Sequence, residues 1–276
     1  MAECEPSGAR EFMDLTVPEY AYMFGFLQAD GHLRQGAGRK GSLSVEITAG
    51  DTYLLRRFQE LTPYYSSITE RTRSTNFSDC HTSATWSLCS LEARTKINEL
   101  GLPYGRKSDK VAPPCGEFSA RDYLRGVIDA DGSVGFTEPG LPFVALTTKS
   151  TAIGEFTTSY VVDLTGAHRT LKRNSRDGVY NIRYVTENAQ RLAAHLYYPG
   201  CLSLERKRTT AEFLARWVRP PDSKPRPPRI EWTADMDRVL LAAPTIAEAA
   251  TALGFSRSPC QKRRWNLLQG VVPLPD

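Results

Sequence analysis

The sequence predicts an α+β protein: two αββαββα units in tandem, related by a pseudo-twofold, followed by a small three-helix domain. Three observations carry that reading. MFGFLQADGHL (23–33) and LRGVIDADGSVGF (124–136) both contain Gly-x-x-x-Ala-Asp-Gly, about 100 positions apart, and an internal repeat fixes an architecture before any local detail. A similar order of helical and strand-like patterns follows each copy. A stretch rich in proline and charge, PPDSKPRPPRIEW, then sets off about 40 residues of purely helical pattern.

The elements follow in order. Residues 1–15 lack periodicity and read as a loose tail. The first unit, 16–105, starts at Thr16-Val17-Pro18-Glu19, a capping box with proline in the first turn, and its helix runs to Asp30. Gly31 is expected to end that helix as a left-handed cap. A hairpin follows, in which Leu43, Val45 and Ile47 alternate with Ser44, Glu46 and Thr48. Leu54, Leu55, Phe58 and Leu61 mark one face of a helix over 51–61. Strands over 68–73 and 84–89 and a helix over 90–100 complete the unit. Residues 106–118 have the composition of a linker. The second unit, 119–220, opens on the capping box Ser119 to Asp122, with its helix ending at Asp131. After it come a hairpin (133–136 with 143–147), a helix near 152–164, strands near 169–173 and 179–185, and helices over 187–197 and 206–216. Residues 221–231 form the spacer and 232–276 the last domain, with helices over 233–242, 245–253 and 258–268.

Composition excludes several classes. No apolar run approaches the roughly 20 residues of a membrane span, and the acidic N-terminus is unlike a signal peptide, so a cytoplasmic protein is expected. Six cysteines without CxxC pairing suggest free thiols; Cys80-His81 with Cys89 lacks a full zinc ligand set. Net charge is +4, but residues 201–276 hold 13 Lys and Arg against 8 Asp and Glu. A basic end of that kind points to a polyanionic partner.

The repeated motif carries chemistry. Glycine and alanine four residues apart share a helix face and let two backbones approach closely. Asp30 and Asp131 then fall at helix C-termini, where the macrodipole disfavours negative charge by roughly 0.3–1 kcal/mol each. Pairing the helices adds like-charge repulsion. Two such placements suggest a cation between them, and magnesium, a hard ion taking a few carboxylates and keeping room for water and phosphate oxygens, fits. Paired acids holding divalent ions suit in-line phosphodiester hydrolysis.

FGFLQADGH and LRGVIDADGS resemble the signature of the LAGLIDADG homing endonucleases, in the single-chain form with two motifs. The first departs where Gln28 replaces an acid that is not the metal ligand of the family. The likeness covers about residues 16–216, including GLPYGRKSDKVAPP and LYYPGCLSLERKR. It implies a site-specific, metal-dependent enzyme that cuts both DNA strands across the minor groove and leaves short 3′ overhangs. Asp30 and Asp131 would bind the ions, two or three Mg²⁺ with Mn²⁺ or Ca²⁺ substituting in binding, and the carbonyls of Ala29 and Ala130 would be minor ligands. Lys110, in a Lys-x-x-Pro context, with Lys107 close behind, and Lys207 would stand near the scissile phosphates. The partner would be double-stranded DNA with a long asymmetric target, bound by a monomer of a mobile element in a bacterial or phage-infected cell.

The resemblance also places antiparallel strands in the major groove, where base pairs are distinguishable. Candidate reading residues are Ser44, Glu46, Thr48, Arg71, Arg73, Thr85 and Ser87 in the first unit, and Asn181 and Arg183 in the second. Arg34, Arg39, Lys40, Lys149, Lys172, Arg173 and Arg176 supply charge beside them. The C-terminal segment resembles a helix-turn-helix of the Myb/SANT-like kind, with Gln261, Lys262, Arg263 and Arg264 on its last helix and Trp232, Leu240, Phe255 and Trp265 as its core. Two alternatives are a LAGLIDADG-derived transcription regulator that binds without cutting, in which the acids are lost, and an intron maturase. An intein origin is not expected, since the splicing residues are missing from the ends.

Overall fold

The computed structural model describes residues 11–75, 78–221 and 230–275, without the side chains of residues 39, 75 and 78–81. Residues 1–10, most of the proline-rich spacer and the side chains of the Cys80-His81 pair considered for zinc lie outside that description. The chain divides into two compact units, Met1–Arg219 and Pro220–Asp276.

In the first unit the order is α1 (Pro18–Asp30), β1 (His32–Arg34), β2 (Ser42–Thr48), α2 (Thr52–Leu61), β3 (Ser66–Thr75), β4 (Ser78–Leu88) and α3 (Leu91–Glu99). It then begins again with α4 (Ala120–Asp131), β5 (Gly132–Phe136), β6 (Pro142–Thr148), α5 (Thr151–Thr165), β7 (Tyr180–Val185), α6 (Thr186–Leu196) and α7 (Glu205–Ala215). Two antiparallel sheets result, ordered β1-β2-β4-β3 and β5-β6-β7. The fold is mixed helix and antiparallel sheet, as expected. Strand alternation sends Leu33, Leu43, Val45, Trp86 and Leu88 into one core, which Leu146 joins, and Val144, Ile182 and Tyr184 into a second. Both sheets keep a polar or mixed face outward.

Several local expectations give way to better-satisfied packing. The strand expected at 169–173 is reduced to one bridge, Arg173 to Tyr180. AHRTLKR offers only Leu171 as a sizeable apolar anchor, and Arg173 folds back onto the Gly178 carbonyl (2.6 Å) and the Thr151 hydroxyl (3.1 Å). The tail is not loose to residue 15, because Phe12, Met13 and Leu15 are buried and Phe12 packs edge-on against Tyr20 and Tyr64. Thr16 does not cap α1: its hydroxyl bonds Asp14 (2.7 Å), and Val17 occupies the cap position ahead of Pro18. At the second motif Ser119 donates to the Asp122 carboxylate (2.5 Å) rather than accepting a backbone N–H. Residues 106–118 pack rather than float: Val111 is buried, and its carbonyl accepts from Ser150 Oγ at 2.5 Å.

Gly31 is also not a left-handed cap. Its φ of −68° and ψ of 149° are extended, and the chain passes straight from α1 into β1. Glycine is needed there for space, since a Cβ would come within 2.5 Å of the Leu27 carbonyl oxygen.

The compact unit Pro220–Asp276 holds α8 (Ala234–Ala242), α9 (Ile246–Leu253) and α10 (Arg257–Leu268). Thr233 and Thr245 cap the first two by accepting from the N–H groups of Met236 and Glu248. Leu240, Ala249, Ala250, Cys260 and Leu267 are buried, and Trp232 packs edge-on against Phe255 with centroids 5.5 Å apart. Trp265, expected in this core, is 51% exposed and sits beneath the Lys262 ammonium, 4.7 Å from the ring centroid. Cys260 and Leu267, on the opposite side of α10, take the interior position.

Candidate active site and nucleic-acid interface

Helices α1 and α4 pack against each other through their small residues, and the reason is steric. A Cβ at Gly25 would overlap the Tyr123 carbonyl oxygen, and one at Gly126 would overlap that of Tyr22. The two glycines are reciprocal, each lying on the partner helix at the residue three before the other glycine. Both helices are buried almost all round, from Tyr20 to Gln28 and from Asp122 to Asp129. They surface at their two ends, and at the C-terminal end Asp30 and Asp131 emerge together.

These two carboxylates are open to solvent on one side and crowded by helix ends on the other. Crowding raises the Asp30 pKa above the usual carboxylate range. Asp131 is pushed to about 6, first by partial burial and then by the negative charge of Asp30. Two lysines partly offset this. Lys107 Nζ donates to the carbonyls of Leu27 (3.2 Å), Gln28 (2.6 Å) and Ala29 at the end of α1. Lys207 Nζ donates to Ile128, Asp129 and Gly132, each at 2.7 Å, at the end of α4. Burial lowers both lysines to about 8, against the pull of the nearby acids. The ammoniums thus meet the negative ends of two helix dipoles. Lys110 is exposed, and the end of α1 is occupied by Lys107 instead.

Lys207 is 5% exposed, and the residues flanking it are tied to the other half of this unit. The Tyr53 hydroxyl on α2 donates to the Ser203 carbonyl (3.2 Å) and accepts from the Glu205 N–H, while Arg206 pairs with Asp51 at 3.1 Å.

Beneath the acids lies a buried polar layer that sequence reasoning missed. Tyr22 and Tyr197 donate to the two oxygens of Asp129 (2.7 and 2.6 Å), and the Leu204 N–H adds a third bond at 2.7 Å. In the mirror position Tyr123 donates to Gln28 Oε1 (2.5 Å), and Gln28 Nε2 donates to the carbonyls of Gly101 and Ala112, both at 3.0 Å. The signal was available: aligning the motifs on their glycines also aligns Tyr22 with Tyr123.

Among the described residues no group of three or more His, Cys, Asp or Glu side chains gathers as a ready cage. The helix ends offer two carboxylates and backbone carbonyls, an all-oxygen set of the sort a hard divalent ion takes with water completing its shell. Residues present and ion chemistry therefore fit. The Ala29 carbonyl accepts from Lys107, whereas Ala130 is half-buried.

On the first sheet Ser44, Glu46, Thr48, Thr85 and Ser87 lie on the outward face with Arg71 and Arg73, as the register requires. Arg73 pairs with Glu46 at 3.0 Å, both about half exposed. Arg34 and Lys40 are exposed at the first hairpin; the Arg39 side chain lies outside the description. His32 and Thr69, not singled out from the sequence, share this face. On the second sheet Asn181 accepts from Thr147 (3.1 Å), and the Arg183 guanidinium lies 4.2 Å from the Phe143 ring centroid. Lys149 and Lys172 are exposed, Arg176 pairs with its neighbour Asp177 at 3.1 Å, and Arg173 is folded onto the protein and the Tyr180 ring. On α10, Gln261 and Lys262 are exposed and Arg264 is half-buried, while Arg263 is tied to Asp237 by bonds of 2.8 and 2.5 Å and serves the interior.

No family model and no curated protein matches the chain. Solved structures do resemble it. The homing endonuclease I-WcaI bound to its DNA recognition sequence aligns over 71% of this chain and 87% of its own, with 14% identity and a TM-score of 0.49. The I-LtrWI LAGLIDADG homing endonuclease bound to target DNA aligns over 72% of this chain and 92% of its own, with 10% identity and a TM-score of 0.46. Full-length DUF199/WhiA from Thermatoga maritima aligns over 96% and 93%, with 12% identity and a TM-score of 0.44.

Proposed function

We propose that the chain is a LAGLIDADG homing endonuclease that binds an asymmetric duplex and cuts both strands. The observation that carries this is the pairing of Asp30 and Asp131 at two helix ends, each end held by its own lysine, Lys107 or Lys207. A structural role alone would not keep two like charges together at the negative ends of two helices. Bound Mg²⁺ would supply a Lewis acid and an activated water for phosphodiester hydrolysis. Asp30 and Asp131 would hold it. The carbonyls of Ala29 and Ala130 are secondary donors, and Ala29 becomes one only if Lys107 moves. Lys107 and Lys207 keep positive charge beside the phosphates while anchoring the helix ends. The outward sheet faces position the duplex, the first with Arg71 and the second with Asn181 and Arg183.

The C-terminal unit acts in this reading as a helix-turn-helix that lengthens the DNA footprint through Gln261, Lys262 and Arg264. Deleting residues after Pro221 then weakens affinity and flattens its salt dependence. The test of the whole reading is selection from a randomised duplex library with the full-length protein. The expected result is a recovered site that is cut on both strands with Mg²⁺ and left intact with a chelator. Specific binding without any cut under either condition would favour the regulator reading.

A further inference from the structure

The two sheets present unlike chemistry to a ligand. On the outward face of the first, each side chain placed by the strand register has a hydrogen-bonding group: Ser44, Glu46 and Thr48 on β2, with Thr85 and Arg71 across from them. On the second, the central strand β6 turns out Phe143, Ala145 and Thr147 in succession. Two of these three have no polar atom. Phe143 lies against Gly135, where a Cβ would come within 3.2 Å of the ring, and its other neighbour is the Arg183 guanidinium. The ring is therefore a supported, partly exposed surface rather than a mobile side chain.

An apolar side chain pressed on a base edge removes water from that edge without replacing its hydrogen bonds, which costs about 5- to 150-fold in affinity per buried polar group. The thymine methyl is the one apolar group in the major groove, and alanine, phenylalanine and the threonine methyl are its usual partners. The geometry points to a divided readout: the half-site on the second sheet carries thymines whose methyls pack on Phe143 and Ala145, while the half-site on the first sheet is read by hydrogen bonds. This rests on the reading of the chain as a sequence-specific binder of duplex DNA.

The experiment uses the full-length protein and its selected site, with Ca²⁺ as the ion for binding measurements. A photocrosslinker at position 85 or 147 assigns each half-site to a sheet. Each half is then synthesised with deoxyuridine in place of thymidine, which deletes only the methyls. The expected result is a loss of affinity of about fourfold per contacted methyl in the second half-site, and less than about twofold in the first. Phe143→Ser or Ala145→Ser should abolish part of that sensitivity while leaving the response of the first half-site unchanged. Equal sensitivity in both halves, sensitivity confined to the first, or full sensitivity in both variants would overturn the inference. Failure to select any specific site would instead defeat the proposed function on which it rests.

Discussion

Gln28 and Asp129 occupy matching positions one layer beneath Asp30 and Asp131, and they solve the same problem with opposite hydrogen-bonding. Asp129 accepts three bonds, from two tyrosines and the Leu204 N–H. Gln28 accepts one, from Tyr123, and donates two, to backbone carbonyls. One tyrosine is constant, and what differs is what lies behind the motif: Tyr197 and an amide N–H in one half, carbonyls in the other. Where the two halves meet the proposed substrate they match in acid and lysine. Where they meet their own scaffold they have diverged, each motif fitted to its own following segment.

That comparison can be broken first at the helix crossing. Gly126→Val drives a side chain into the Tyr22 carbonyl, and a loss of about 3 kcal/mol or more in urea unfolding is expected, the upper end for overpacking. Next come the lysines. Lys107→Met or Lys207→Met should lower single-turnover cleavage by about 10²-fold, the scale of removing one preorganised electrostatic group, and Lys110→Met should leave it within about twofold. Lys207→Met should also lower stability more than Lys107→Met, because Lys207 is the more buried.

The divergence itself is tested by making the halves alike. Asp129→Asn sets an amide N–H₂ against donors, and Gln28→Glu sets a carboxylate against two carbonyls. Each should cost about 1–3 kcal/mol in denaturant unfolding, and two neutral results would show that the layer is not specified by its surroundings. The smallest effect concerns Asp131. Its pKa of about 6 lies above the ordinary 3.8, so the folded chain binds more protons than the unfolded one in that window and stability falls as pH rises through it. Asp131→Asn should therefore raise the melting temperature of the metal-free protein slightly at about pH 8, with the gain vanishing below about pH 4. In the wild type, protons should compete with the ion, and metal affinity should fall as pH drops through about 6.

Much of this was legible in the sequence because the motif is local. Gly25, Ala29 and Asp30 share one helix with fixed spacing, and so do Gly126, Ala130 and Asp131, so the close crossing and the emergence of two acids follow from periodicity. The outward residues of β2 and β4 follow equally from alternation. What escaped depends on long-range partners. Lys107 rather than Lys110 reaches the end of α1 because residues 106–118 pack against it, which their linker-like composition conceals. Arg263 faces Asp237, 26 residues earlier, and nothing in a basic run marks which member turns inward. The strand lost at 169–173 has suitable alternation but too little apolar surface to hold it.

The central claim is that Asp30 and Asp131 jointly hold the ion for cleavage and do not hold the DNA. It is tested most directly by measuring Mg²⁺-dependent cutting and DNA affinity together for Asp30→Asn and Asp131→Asn on the selected site. The account predicts that each variant loses double-strand cleavage by about 10³-fold or more, as expected for an ion-dependent reaction, while binding the site with affinity near that of the wild type. Unimpaired cleavage by the Asp131 variant would contradict it.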